Sequence, residues 1–416
     1  MDYLSRTIDL ELDELLNETP AIAVDGPKGV GKTDTASRRS DIAWYLDDPA
    51  QRDILRSAFS LKSIPKGTVL LDEWQQLPQI WDSVRRLVDA GAPNGRFLLT
   101  GSASPVNTAG THSGAGRILS LRMRPMGVHE RGLTTPTVSL AQLLSGQATS
   151  VDGTTTLQLT DYAEAIVSSG FPGIMNRPLR IRRRMIDAYL QRIVDRDLPD
   201  LGFTVRRPET LRRWLAAYAA ASSTTTAYSR LLDTTTAGNG TKPAKTTTLA
   251  YRDHLSQLWL LDPVPGWVPT NSPNRRLQQA PKHHLADPAL AASLLNQTAE
   301  SLLSPRGAHL AGPLFESLVT LGVRVMAQAA EASVSHLRLH GGEREVDLVV
   351  EGVDGAIVGI EVKLAADVSD SDVKHLRWLR EQVPDRVTDL VVVTTGTTAY
   401  RRNDGIAVVP LALLGP

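Results

Sequence analysis

Residues 21–33 read AIAVDGPKGVGKT, and this stretch decides how the first third of the chain folds. A short apolar run at 21–24 leads into the pattern G-x-x-x-x-G-K-[ST] at 26–33, and a helical stretch follows. Strand, glycine-rich loop and helix in that order let successive backbone N–H groups converge on phosphate oxygens. Gly26 and Gly31 permit the curl and Gly29 eases it, with Pro27, Lys28 and Val30 completing the loop. The Lys32 ammonium has the length to meet the outer phosphates, and the Thr33 hydroxyl is placed to ligate magnesium. A helix N-terminus beyond the loop favours the same anion. ATP with Mg2+ is the expected cofactor pair.

Working outward, residues 68–75 read TVLLDEWQ: four strand-like residues ending in Asp72 and Glu73. Asp72 is expected to hold the magnesium shell, and Glu73 to polarise the attacking water. Such a pair is expected at the end of a strand beside strand 21–25, with one helix–strand unit in between. Residues 96–104, RFLLTGSAS, form a third apolar strand that closes on Thr100 and Ser102. Alternation of short apolar runs with longer helical patterns over 21–135 predicts a parallel sheet.

Composition bounds the rest. A chain of 416 residues is too long for one core. Lys+Arg and Asp+Glu both number 45, so global charge favours no particular partner. Regionally, residues 136–306 hold 19 basic against 13 acidic side chains, and residues 307–416 hold 10 against 15. A basic middle therefore precedes an acidic tail. The absence of cysteine excludes disulfides, thiolate metal sites and cysteine nucleophiles. The acidic, amphipathic start and the lack of an 18-residue apolar run predict no secretory signal and no membrane span, hence a cytoplasmic protein.

A Gly/Ser/Thr/Pro-rich stretch at 132–158 reads as a connector, and 159–220 as helical, with Arg180, Arg182, Arg183 and Arg184 clustered. Residues 211–221, AYSRLLD and 246–260 give the order helix, short helix, turn, helix, followed by strand-like LLDPVPGW. That order fits a winged helix. Thr246, Thr247 and Thr248 would open its groove-facing helix, with Lys245, Arg252, Arg275 and Arg276 positioned for phosphates. A winged helix used only for packing fits equally.

Residues 343–363 read EREVDLVVEGVDGAIVGIEVK. Asp347 lies on one arm of a predicted hairpin, and Glu361 and Lys363 end the other, on one face by the two-residue period. Two carboxylates so placed can share Mg2+, with the lysine offsetting phosphate charge. Glu316, on the helix GPLFESLV, is a further candidate ligand, and Lys374 or His375 could line the same cleft. A non-cleaving domain of the same shape is the competing reading.

With these motifs in hand, the chain resembles the prokaryotic AAA-type P-loop ATPases that carry an appended domain of unknown function. The likeness extends through SSGFPGIMNRP (169–178), YLQRIVDRDLPDL (189–201), YRDHLSQLWLLDPVPGW (251–267), PKHHLADPALAASLL (281–295) and GPLFESLV (312–319). It implies an α/β multidomain architecture: an ATPase domain with a parallel sheet (1–135), a connector with a helical lid-like region (136–205), a winged-helix-like domain (206–306) and an α/β restriction-endonuclease-like domain (307–416). In such ATPases a polar residue at Thr100 or Ser102 meets the γ-phosphate or the water. An arginine at the place of Arg117 acts as a finger, often on a neighbouring subunit's nucleotide. The function this implies is a Mg-dependent ATPase whose cycle controls winged-helix and nuclease-like domains acting on nucleic acid, DNA being the partner. The alternative is a nucleotide-controlled protein-interaction switch with an inactive nuclease-like domain.

Overall fold

Apolar runs with no polar alternation fold into strands buried on both faces, and here they build a five-stranded parallel sheet. Its strands are β1 (Ala21–Asp25), β2 (Ile42–Tyr45), β3 (Val69–Asp72), β4 (Phe97–Gly101) and β5 (Leu119–Arg122), in the order β2-β3-β4-β1-β5. Every residue of β1, β3 and β4 is buried, whereas edge strand β2 is half-buried. A computed structural model of the chain describes residues 3–57, 61, 64–102, 115–148, 150–205, 207–236, 245–269, 279–339 and 342–416. It divides into two compact units: Met1–Arg124 with Phe171–Gly173 and Leu255–Leu260, and Pro125–Gly170 with Ile174–His254 and Leu261–Pro416.

The strand order corrects one expectation. The Asp72 strand does not lie beside the β1 strand; β4 runs between them, pairing Ala21 with Phe97 on one side and Val69 with Phe97 on the other. Both edges of β1 are taken, by β4 and β5, so β3 has no ladder positions left on it. The chain between Lys32 and Asp72 also holds more than one helix–strand unit: α2 (Lys32–Ser37), β2 and α3 (Pro49–Ser57). Helix α1 (Ile8–Glu18) precedes β1, and α4 (Gln79–Asp89) follows β3, burying Ile80, Trp81 and Val84. The Trp81 ring lies 4.6 Å from that of Trp74, and the two indoles anchor the core beneath the turn after β3.

In the second unit, β6 (Val138–Ser139) pairs with β14 (Leu414–Gly415). The main sheet has seven strands in the order β12-β13-β11-β10-β9-β8-β7. They are β7 (Gly266–Trp267), β8 (Ser333–Arg338), β9 (Glu345–Glu351), β10 (Ile357–Val362), β11 (Val387–Thr394), β12 (Tyr400–Arg401) and β13 (Ala407–Pro410). β8, β9 and β10 form an antiparallel meander, and β10, β11 and β13 are parallel. Helix Ala308–Ala329 precedes the meander, and helix Lys374–Gln382 connects β10 to β11, packing Leu376 and Leu379 into the sheet core. Ala308–Ala329 is long and apolar enough to cross a membrane by length and composition, which the sequence reading did not foresee. In this fold 72% of that apolar window is buried, as the spine of a core.

The middle segment forms helices Leu159–Ser168, Leu179–Arg192, Pro208–Ala220, Tyr228–Thr236 and Lys245–Gln257. Antiparallel bridges then join Leu261 to Leu285 and Val264 to Lys282. Asp287 caps the helix Pro288–Leu294 through the Ala289 N–H at 2.8 Å and also accepts from the Ser169 hydroxyl at 3.1 Å. These bonds explain the spaced SSG and ADP motifs. Of the expected groove-facing row, Thr246 is exposed, Thr247 half-buried and Thr248 buried, and Arg252 pairs with Asp253 at 2.7 Å. Arg275 and Arg276 fall outside the described residues. Of the arginine cluster, Arg182 is buried against Glu164, while Arg180, Arg183 and Arg184 are exposed.

Candidate functional site

The loop after β1 is shaped by close approach. A Cβ on Gly26 would lie 2.1 Å from the Met123 carbonyl oxygen, so only glycine fits there. Gly31 enters α2 with φ near +102°, a conformation costly for any other residue. Arg6, which the sequence reading passed over, braces the loop: its guanidinium donates to the Val30 carbonyl at 2.8 Å and the Arg124 carbonyl at 2.7 Å. Pro27 and Val30 are buried, and Lys28 and Gly29 are exposed.

Lys32 is buried and donates to the Gly26 and Pro27 carbonyls at 2.8 and 2.9 Å. Burial pulls its ammonium down to about pKa 8, against the attraction of Glu73, Asp72 and Asp25. The Thr33 hydroxyl donates to Asp72 Oδ1 at 2.8 Å, and Thr100 donates to the same oxygen across β4. Thr100 also accepts the Glu73 N–H at 3.2 Å. Ser102 donates to Glu73 Oε2 at 2.9 Å, and Gln75 donates to the same carboxylate and to Ser102. Thr100 and Ser102 thus hold the acids rather than standing apart from them. Desolvation raises the Asp72 carboxyl, opposed by the Thr100 and Thr33 hydroxyls. Glu73 sits at φ 51°, a left-handed conformation of a kind that costs on the order of 1–3 kcal/mol in a non-glycine residue. The buried Trp74 beside it and the Thr100 bond hold it there.

Asp25, the last residue of β1, is buried with Oδ1 lacking a hydrogen-bond partner. Desolvation lifts it to about 6, against the Ser120 hydroxyl, Lys32 and Arg122. Arg122 is its register partner on β5 and lies 4.6 Å over the Trp259 ring. Arg117 is elsewhere. It precedes β5, whose first residue Leu119 pairs with Ile22 near the start of β1, so it stands at the sheet edge opposite the phosphate loop. Its guanidinium is exposed and pairs with Asp89 at 2.9 Å. That position lies away from the end of β1 that carries its own chain's phosphate loop.

The second cluster lies on the seven-stranded sheet. The pairing of Ile360 with Leu348 puts Glu361 opposite Asp347, as the hairpin reading expects. Lys363 Nζ is 3.7 Å from Glu361. The unexpected member is Lys282, fully buried, whose Nζ lies 2.8 Å from Glu316, 2.9 Å from Asp347 and 3.2 Å from Glu345. Asp347 spends its other oxygen on the Val362 N–H at 3.0 Å. Burial and the Asp347 charge push Glu361 well above the usual carboxylate range, while Lys282 holds Asp347 below it against desolvation. Burial also lifts Glu316, to about 8, although Lys282 pulls the other way. The expected Mg2+ site of Glu316, Asp347 and Glu361 therefore does not fit as arranged, because an ammonium fills the centre of the carboxylates. Among the described residues, no group of three or more His, Asp or Glu is arranged to hold a metal. His375 turns to the Glu345 carbonyl at 2.8 Å. Nothing in the string PKHHLADP pairs Lys282 with acids 34 to 65 residues away.

Three family matches cover most of the chain: an AAA domain at residues 18–131, a domain of unknown function (DUF8612) at 159–301, and another (DUF4143) at 311–414. Uncharacterized protein Rv2008c of Mycobacterium tuberculosis is 25% identical over 412 residues, covering 96% of this chain and 82% of that protein. Uncharacterized protein Mb2031c of Mycobacterium bovis matches with the same figures. Among solved structures, the Walker-type ATPase PABY2304 of Pyrococcus abyssi aligns over 70% of this chain and 96% of its own, at 17% identity and a TM-score of 0.39. The Aeropyrum pernix ORC2 protein aligns over 73% and 93%, at 16% identity and a TM-score of 0.30. Residues 18–131 thus match an AAA domain, and matches to two domains of unknown function follow it along the chain.

Proposed function

We propose that the chain is a magnesium-dependent ATP hydrolase working as a nucleotide-controlled switch. One observation carries the reading. Lys32, Thr33, Asp72, Glu73, Thr100 and Ser102, from three separate stretches, meet at the ends of β1, β3 and β4, with Thr33 and Asp72 in direct hydrogen bond. This donor set fits ATP and Mg2+: a buried cation over the loop, a hydroxyl and carboxylate side by side, and a second carboxylate held by Ser102. When bound, magnesium would neutralise charge on the outer phosphates. Lys32 would leave its loop carbonyls to meet those phosphates, Thr33 and Asp72 would hold the ion's shell, and Glu73 would orient the attacking water. Thr100, bonded to Asp72 and to the Glu73 backbone, links the two acids mechanically.

Phosphate release with Mg2+ tests this. Lys32→Ala abolishes nucleotide binding or turnover; Glu73→Gln keeps binding and slows turnover by about 10²–10⁴. Normal turnover in both variants ends the assignment.

What the cycle controls is read as a protein-interaction surface rather than cleavage of nucleic acid, because Lys282 occupies the centre of the acid cluster that cleavage would need. Phosphate release is then indifferent to added double-stranded DNA. Stimulation that weakens steeply with salt would favour the nucleic-acid reading instead.

A further inference from the structure

We propose that the Lys282 ammonium is the resident cation of the C-terminal acid cluster, so that the protein takes no divalent ion at Asp347 and Glu361, and that removing the ammonium converts the cluster into a divalent-metal site. The geometry is that of a saturated lysine. An ammonium has three N–H donors, and three carboxylates, Glu316, Asp347 and Glu345, lie 2.8, 2.9 and 3.2 Å from Nζ, one for each. These are hydrogen-bond lengths; magnesium would need oxygens at about 2.0–2.1 Å. The flanking oxygens are spoken for as well: Asp347 Oδ2 by the Val362 N–H at 3.0 Å and Glu345 Oε2 by Arg338 at 3.1 Å.

Lys282 is not a mobile stand-in. Its N–H donates to Val264 and its carbonyl accepts from Val264, both at 2.9 Å, so the side chain is delivered from a paired backbone. Glu361 supplies the second, independent observation. It is buried beside Asp347, and its Oε1 has no hydrogen-bond partner. That oxygen is a donor-poor position which a cation at the Lys282 site, but of higher charge and larger ligand number, would engage. Hard carboxylate oxygens of this kind suit Mg2+ or Mn2+. The inference rests on the non-cleaving half of the function proposed above and is independent of the ATPase half, since the two sites share no residue.

The experiment titrates Mn2+ into the full-length, nucleotide-free chain and follows the electron paramagnetic resonance signal of free Mn2+. Wild type binds no ion that depends on Asp347. Lys282→Ala and the volume-conserving Lys282→Met each bind about one equivalent, at least tenfold tighter than wild type, and adding Asp347→Asn removes it. Should either variant be unfolded by circular dichroism without metal, Mn2+ is expected to restore its fold by replacing the missing charge. The proposal is overturned if wild type binds an ion that Asp347→Asn abolishes. It is overturned equally if the folded variants bind none, or if unfolded ones stay unfolded with Mn2+ present. Phosphate release from Mg·ATP by the same samples separates the readings: it stays at the wild-type rate in folded Lys282 variants whether or not the metal site forms.

Discussion

Lys32 is the residue whose chemistry is most exposed to solution conditions. Its ammonium is drawn down to about 8 by burial, from an ordinary value of 10.5. Below pH 8 the free protein holds the charged form that phosphates need; above it, binding must first take up a proton. ATP affinity is therefore expected to be flat near pH 7 and to fall by up to about tenfold per pH unit between 8 and 10. Titration calorimetry across that range checks it, and an affinity unchanged from pH 7 to 9.5 would show that the ammonium is not drawn down. The convergence of Lys32, Thr33, Asp72 and Glu73 was legible because motif spacing sets it. Asp25 and Arg122 were not, since an acid before a glycine loop and an arginine ending a strand acquire meaning only when β1 and β5 pair. Lys282 was invisible for the same reason, being brought to its acids by long-range folding.

Among elements, the segment leading into α1 is the one whose function the sequence concealed. The start of the chain reads as acidic and amphipathic, and α1 buries Ile8 and Leu12. The pattern says nothing about Arg6, which closes the loop from behind by hydrogen bonds to two carbonyls. Arg6→Ala leaves those acceptors without partners, at about 1–3 kcal/mol in loop order. It is a positioning residue, so KM for ATP is expected to rise roughly tenfold or more, with kcat at saturation largely kept. A fall in kcat at unchanged KM would place Arg6 in the chemistry instead. Strand existence and type in the ATPase sheet were readable from the uninterrupted apolar runs, but strand order was not. Periodicity reports which face is buried and is silent on which edges are taken, and so β4 came between β1 and β3 unannounced. The hairpin of Asp347 and Glu361 was readable because its turn and its alternation are local.

At the scale of the whole molecule, Arg117 bears on assembly. It stands at the sheet edge away from its own phosphate loop, exposed and paired at 2.9 Å with a surface carboxylate, Asp89. An ion pair of that exposure is worth little and opens readily. If the arginine completes a neighbouring copy's site, mixing Arg117→Ala with Glu73→Gln restores a fraction of wild-type turnover that neither variant has alone. Additive, unrestored rates at every protein concentration would remove Arg117 from catalysis. The acid cluster has a different bearing, on where the chain can be divided. Its positive charge is donated by a peptide segment, 280–285, that precedes the helix and strands bearing the acids, and β7 at 266–267 joins the same sheet. A fragment cut at residue 307 would carry Glu316, Glu345 and Asp347 without their counter-charge. A fragment that keeps the acids with their counter-charge therefore starts no later than about Leu261, inside the neighbouring domain of unknown function. Lys282 and β7 together join the two domains of unknown function into one structural piece.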